Sequence, residues 1–178
     1  MAEKSTIFKA SLHVADMNRH YYHSHALTLA RHPAETDERL MVRLLAFALH
    51  AAGDLQFGQG MTNDDEADLW QLDLTGRVQL WVDVGTPDER LVRKAANRCD
   101  AMVIYAYGGR VAERWFSQHQ SDFARHSHLQ IFALDYAATR ELARLATRNM
   151  DLQCLIQDDQ VSLSDAEHSI DVNPTRWQ

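Results

Sequence analysis

The sequence predicts an α/β (α+β) domain: a mixed central sheet flanked by helices, with antiparallel strands near the N- and C-terminal ends. Three observations lead there. The segments ADLWQLDL and VQLWVDVG are rich in strand formers and flank Thr75 and Gly76, which reads as a short hairpin with glycine where a positive φ is wanted. The second strand then runs through TPDERLVRKAANR, with helical periodicity, into AMVIYAY, a nearly all-apolar run suited to a buried strand. Strand, helix and buried strand in that order form a right-handed crossover between parallel strands. Finally, ETDERLMVRLLAFALHAAG puts Met41, Leu44, Leu45, Ala48 and Leu49 on one helical face and supplies Gly53 as a stop.

The remaining elements follow in order. Residues 6–15 alternate loosely between apolar and polar and predict a first strand, with a turn at 16–19 and an antiparallel return through HYYHSHALTLARH. Glu38 lies three positions before Met41 and seven before Leu45, so it shares their inward stripe. Between Gly53 and Glu66 the chain is turn-rich and acidic, ending in NDDEAD. TPDE is a capping box with Thr86 as N-cap, Pro87 at the first helical position and Glu89 at the third. Downstream, VAERWFSQHQSDFARH predicts a helix, LQIFALDY a strand, TRELARLATRN a helix, and the C-terminal stretch short strands joined at 157–160.

Bulk properties narrow the function. With 178 residues the chain is expected to form one domain, 1–178. It has no apolar run of membrane-spanning length, and its N-terminus has no secretory pattern, so a cytoplasmic location without membrane contact is expected. Cys99 and Cys154 belong to no CxxC pair, which argues against a zinc ribbon, thioredoxin chemistry or a disulfide framework. A formal net charge of -7 opposes loose polyanion binding. A nucleic-acid partner, DNA or RNA, therefore needs a local basic patch, and Arg90, Arg93, Lys94 and Arg98 on the crossover helix supply one.

The chemistry centres on two acids. Pairing Leu74 with Arg77 across a two-residue loop places Trp70 opposite Trp81 and Asp68 opposite Asp83. Facing carboxylates repel, so either one pKa rises or a cation sits between them, and oxygen donors suit Mg²⁺ or Mn²⁺. An odd-length loop or a bulge would send the acids to opposite faces. The plainer alternative has Asp68 solvated in the loop and Asp83 paired with an arginine. Arg90, Lys94 and Arg98 recur at helical spacing; Lys94 lies roughly 12 Å beyond the N-cap and Asp83 about 10 Å back along the strand, so the ammonium can return level with that carboxylate. A solvated charged face is the alternative there.

Weaker signals remain. His23 with His25, and His126 with His128, share a face if extended and read either as surface histidines or as a transition-metal pair. Trp115 and Phe116 read as core, or as a base-stacking pair. Ser164, Asp165 and His168 lack any nucleophile-elbow context.

The stretches TLARHPAETDERLMVRLLAFAL, LQFGQGMTNDDEADLW, LWVDVGTPDERLVRKA and VNPTRW together resemble the YaeQ family of small bacterial proteins along almost the whole chain. Members of that family look like compact relatives of the PD-(D/E)xK nuclease superfamily. The resemblance implies a restriction-endonuclease-like fold, with Glu38 as the first-helix acid, Asp68 as the PD aspartate and Asp83 as the acid of (D/E)xK. Ala67 stands in place of the proline and Gly85 in place of the lysine, and Lys94 is the implied replacement. Two functions are then expected. One is a Mg²⁺- or Mn²⁺-dependent phosphodiesterase or nuclease, a hydrolase with metal on Asp68, Asp83 and Glu38, the Val84 carbonyl as a further ligand, and Lys94 assisting the attacking water. The other is a non-catalytic nucleic-acid- or protein-binding module on a nuclease-like scaffold.

Overall fold

The computed structural model describes residues 4–178. In chain order the elements are β1 (Thr6–Asp16), β2 (Tyr21–Arg31), α1 (Asp37–Leu49), β3 (Leu55–Phe57), β4 (Leu69–Leu72), β5 (Val78–Val84), α2 (Glu89–Ala96), β6 (Cys99–Ala106), α3 (Arg110–Phe123), β7 (Leu129–Ala133), α4 (Tyr136–Leu142), β8 (Asn149–Gln157), β9 (Gln160–Ser164), β10 (Ser169–Asp171) and β11 (Thr175–Arg176). The architecture is mixed α+β with two mixed sheets, ordered β10-β9-β8-β1-β2 and β11-β7-β6-β5-β4-β3. One central sheet was expected. The N-terminal hairpin instead takes β8 as its parallel neighbour and builds a second sheet with the C-terminal strands.

The chain divides into two compact units, one holding the described residues through Ala51 with Ala137–Pro174, the other Ala52–Tyr136 with Thr175–Gln178. In the first, β1 alternates strictly, burying Phe8, Ala10, Leu12 and Val14 while the intervening residues face outward. α1 begins at Thr36, whose hydroxyl accepts from the Arg39 N–H at 3.1 Å, and it ends at His50, three residues before Gly53. Leu40, Met41, Val42, Leu44 and Leu45 are fully buried, each contributing about 1.5–3 kcal/mol by the usual transfer scale. Just before the helix the buried Glu35 accepts from Arg39 and Arg43, each at 2.6 Å. This pairing was not foreseen from the sequence.

In the second unit the crossover is as expected: β5 and β6 run parallel, with α2 between them in sequence. Its start differs from the capping-box expectation. The N-cap is Asp88, whose carboxylate accepts from the Arg90 N–H at 2.8 Å, while Thr86 and Pro87 stay outside the helix. The Pro87 carbonyl is held instead by the Trp115 indole N–H at 2.7 Å. β3, inside the segment expected to be turn-rich, and the short β11 add edge strands. One face of this sheet packs Trp81, Val92, Ala95, Ala96, Trp115, Phe123 and Ile131 into a core, with Phe116 and Trp177 against it. Trp115 is thus a core residue and Phe116 packs against that core.

Candidate metal and phosphate site

The hairpin reaches its expected register by an unexpected route. The Asp73 N–H donates to the Arg77 carbonyl at 2.9 Å and the Gly76 N–H to the Asp73 carbonyl at 3.0 Å, so the loop is Leu74, Thr75 and Gly76. Gly76 sits at φ +87°, a left-handed conformation that glycine tolerates without strain. An odd loop alone would turn Asp83 to the other face. A bulge follows, however: Leu72 pairs with Val78 but Gln71 pairs with Leu80, leaving Gln79 as the extra residue. The two one-residue offsets cancel, and Trp70 meets Trp81 and Leu69 meets Val82 as the two-residue loop predicted. The indoles pack edge to face, 5.8 Å between ring centroids at 90°.

One step further along, Asp68 and Asp83 interlock. The Asp68 N–H donates to Asp83 Oδ1 at 3.1 Å, and the Val84 N–H donates to Asp68 Oδ2 at 2.9 Å. Asp83 Oδ2 accepts from the Trp81 indole at 2.9 Å. Asp68 is only 3% exposed, so the plainer alternative of a solvated loop aspartate is set aside. Two glycines make this possible. A side chain on Gly60 would come within 2.5 Å of Asp68 Oδ1, and one on Gly58 within 2.1 Å of the Ala67 carbonyl. The GQG stretch thus wraps the acid with bare backbone, a role the sequence reading missed although two glycines so close together signal a tight approach.

Lys94 lies elsewhere than expected. Its Nζ contacts Asp65 Oδ1 at 2.7 Å, and Arg98 stands 3.5 Å from the same oxygen and 3.3 Å from the Asp65 carbonyl. Lys94 thus docks on the NDDEAD loop, because its place on α2 turns it outward while Val92, Ala95 and Ala96 face the core. Its hydrogen bond and charge hold the Asp65 carboxyl below the usual aspartate range. Arg98 also lies over the Trp81 ring, 5.7 Å from its centroid, on the indole that hydrogen-bonds Asp83. Arg90 and Arg93 are exposed on the same helix. The Cys99 thiol is pushed up to about 11 by burial, then by Asp100 and Asp83, which makes it a poor nucleophile.

Glu38 belongs to the first unit, where its Oε1 accepts from the buried Thr139 hydroxyl at 2.8 Å. That contact accounts for its inward position on α1. The histidine pairs have local partners: Tyr21 Oη lies 2.7 Å from His25 Nε2, and His128 Nε2 lies 2.6 Å from the Ala96 carbonyl. Among the described residues, no group of three or more His, Cys, Asp or Glu side chains is arranged to hold a metal ion. The hairpin brings together two carboxylates.

Comparison with known proteins fits this geometry to a family. The model of the YaeQ protein family matches residues 1–174. The chain belongs to the YaeQ family. The YaeQ proteins of Salmonella typhi and Escherichia coli K12 are 42% and 40% identical to it, each over 100% of this chain and 98% of the relative. Crystal structures of YaeQ proteins superpose closely: that from Xanthomonas axonopodis pv. citri has a TM-score of 0.94 at 47% identity, covering 98% of both chains. The one from Pseudomonas syringae reaches 0.94 at 30% identity, covering 99% of this chain and 98% of that one. The two-sheet arrangement is thus a YaeQ-family fold. No helix among the described residues is long and apolar enough to cross a membrane.

Proposed function

We propose that this YaeQ-family chain is a Mg²⁺- or Mn²⁺-dependent phosphodiesterase of PD-(D/E)xK type, with Asp68 and Asp83 as the metal carboxylates. The observation that carries the reading is the interlock of these acids, each oriented by a backbone N–H beside the other. Held so, the carboxylates need no reorganisation to receive a cation. Paired carboxylates are a usual donor set for magnesium, which takes the rest of its shell from water and phosphate oxygen. When bound, such an ion neutralises phosphate charge and acidifies a coordinated water.

The chain's own residues supply the rest. Asp68 and Asp83 would hold the cation, and the Trp81 indole N–H donates to Asp83 Oδ2. Lys94 and Arg98 share Asp65 as a carboxylate counter-ion at an exposed position. A phosphodiester, an anion like the Asp65 carboxylate, exchanges with Asp65 and pairs with Lys94 and Arg98 in its place. Arg90 and Arg93 extend the basic face along the DNA or RNA backbone.

The test is calorimetric titration with Mn²⁺ together with assays on single- and double-stranded DNA and RNA. Saturable Mn²⁺ binding lost in Asp83→Ala, with metal-dependent cleavage, supports the enzyme. The second reading, a binding module, is favoured by Lys94 resting on Asp65 and not on Asp83. It predicts no Mn²⁺ binding at millimolar metal and no cleavage of any of the four substrates.

A further inference from the structure

The outward face of the five-stranded sheet carries a different constellation. β2, β1 and β8 lie side by side there, with Ser24 directly opposite His13 and Gln153 opposite His13 on the other flank. Asp151 stands two residues before Gln153 on the same face of β8. The imidazole spans both neighbours: its Nδ1 is 2.7 Å from Ser24 Oγ and its Nε2 is 2.9 Å from Asp151 Oδ1. We infer that Ser24, His13 and Asp151 form a nucleophile, a general base and an orienting acid for acyl transfer from small activated esters.

The tautomer follows from the partners. An ionised carboxylate only accepts, so Asp151 requires the proton on Nε2, which leaves the Nδ1 lone pair facing the Ser24 hydroxyl. Both separations fall in the hydrogen-bonding range a nucleophile and base need. His13 and Ser24 border a cavity of about 580 Å³, whose walls include Tyr22 and Leu155 and the polar Gln153, Ser162 and Ser164. Tyr22 and Leu155 are 56% and 43% exposed, large apolar surfaces that suit an acyl chain. Gln153, opposite His13 on β8 and on the cavity wall, brings an amide donor to the place where an oxyanion would develop.

In the acylation step Ser24 Oγ bonds to the ester carbonyl carbon and its proton passes to His13 Nδ1. The carbon–oxygen bond to the leaving alcohol breaks as Nδ1 returns that proton to the alkoxide. Water then gives a proton to Nδ1, its oxygen bonds to the acyl carbon, and Ser24 leaves and recovers the proton, so ester and water become acid and alcohol. Asp151 is 80% exposed at its side chain, so its pairing with His13 is weak and the site is limited to activated esters, excluding amides.

The experiment uses the full chain with chelator present, which separates this site from the hairpin acids. A fluorophosphonate probe is expected to label Ser24, located by peptide mass mapping, and p-nitrophenyl acetate hydrolysis to fall at least about tenfold in Ser24→Ala and His13→Gln. Thr28→Ala, elsewhere on β2, should leave both signals unchanged. As a positioning residue, Asp151 should lower kcat with KM constant when changed to Asn, and Asp151→Glu should restore part of it. Absence of label on Ser24 in the wild-type chain, or equal hydrolysis by Ser24→Ala, overturns the inference.

Discussion

At the level of single residues, carboxylates dominate the chemistry, and each is managed differently. Asp65 is exposed and held ionised by Lys94; in Lys94→Met its pKa should rise toward the ordinary aspartate value, readable as a shifted carboxyl titration by NMR. Asp65→Asn should free Lys94 and tighten polyanion binding, most clearly at low salt, and unchanged affinity would count against phosphate exchange there. Glu35, buried between Arg39 and Arg43, is a structural acid. Glu35→Ala should lower the unfolding free energy by about 3 kcal/mol, measured by urea denaturation, because it strips a buried ion network of its only carboxylate among these three residues. Of these groups Asp68 and Asp83 were legible in the sequence, since hairpin register follows from strand alternation. Asp65 was not: which member of an acidic run meets a helix cation depends on loop geometry that has no period to read. Glu35 was missed for a related reason, as it precedes the helix whose periodicity would have marked it.

At the level of elements, the β4–β5 hairpin is the informative case. Its strands, its aromatic pair and the register at the acids were all readable, whereas the loop length was not, because TG after Leu74 suits a two- or a three-residue turn. What the pattern constrains is the buried face, and any pair of offsets that restores it is acceptable. Deleting Gln79 removes only the bulged residue and leaves Trp70 opposite Trp81, so calorimetry should still show Mn²⁺ binding and a denaturation curve should show the second unit intact. The α2 start was misjudged because TPDE and DERL each offer a cap; Trp115 settles the choice by claiming the Pro87 carbonyl.

At the level of the whole molecule, the number and type of most elements were legible, but their division into two sheets was not, because strand neighbours far apart in sequence leave no local trace. Acid stability has a readable source in the first unit. His50, at the end of α1, is lowered to about 4 by burial and by Arg19. Its folded pKa lies below the unfolded value near 6.5, so its neutral form costs nothing at pH 7 and stability is lost as pH falls from about 6.5 to about 4. The loss is on the order of 3 kcal/mol, and His50→Gln should flatten that part of the stability profile. Burial pushes the Cys154 thiol up to about 12, so it should resist iodoacetamide at pH 7 until the chain unfolds.

The parallel pairing of Lys9 with Asn149 has a consequence during synthesis. On the ribosome the nascent β1 edge waits for β8, on the order of ten seconds at ordinary translation speeds. Throughout that interval an alternating strand bearing Phe8, Leu12 and Val14 lacks its long-range neighbour, while the intervening segment has time to settle. The N-terminal hairpin is therefore the part of the newborn polypeptide that most needs shielding by a chaperone.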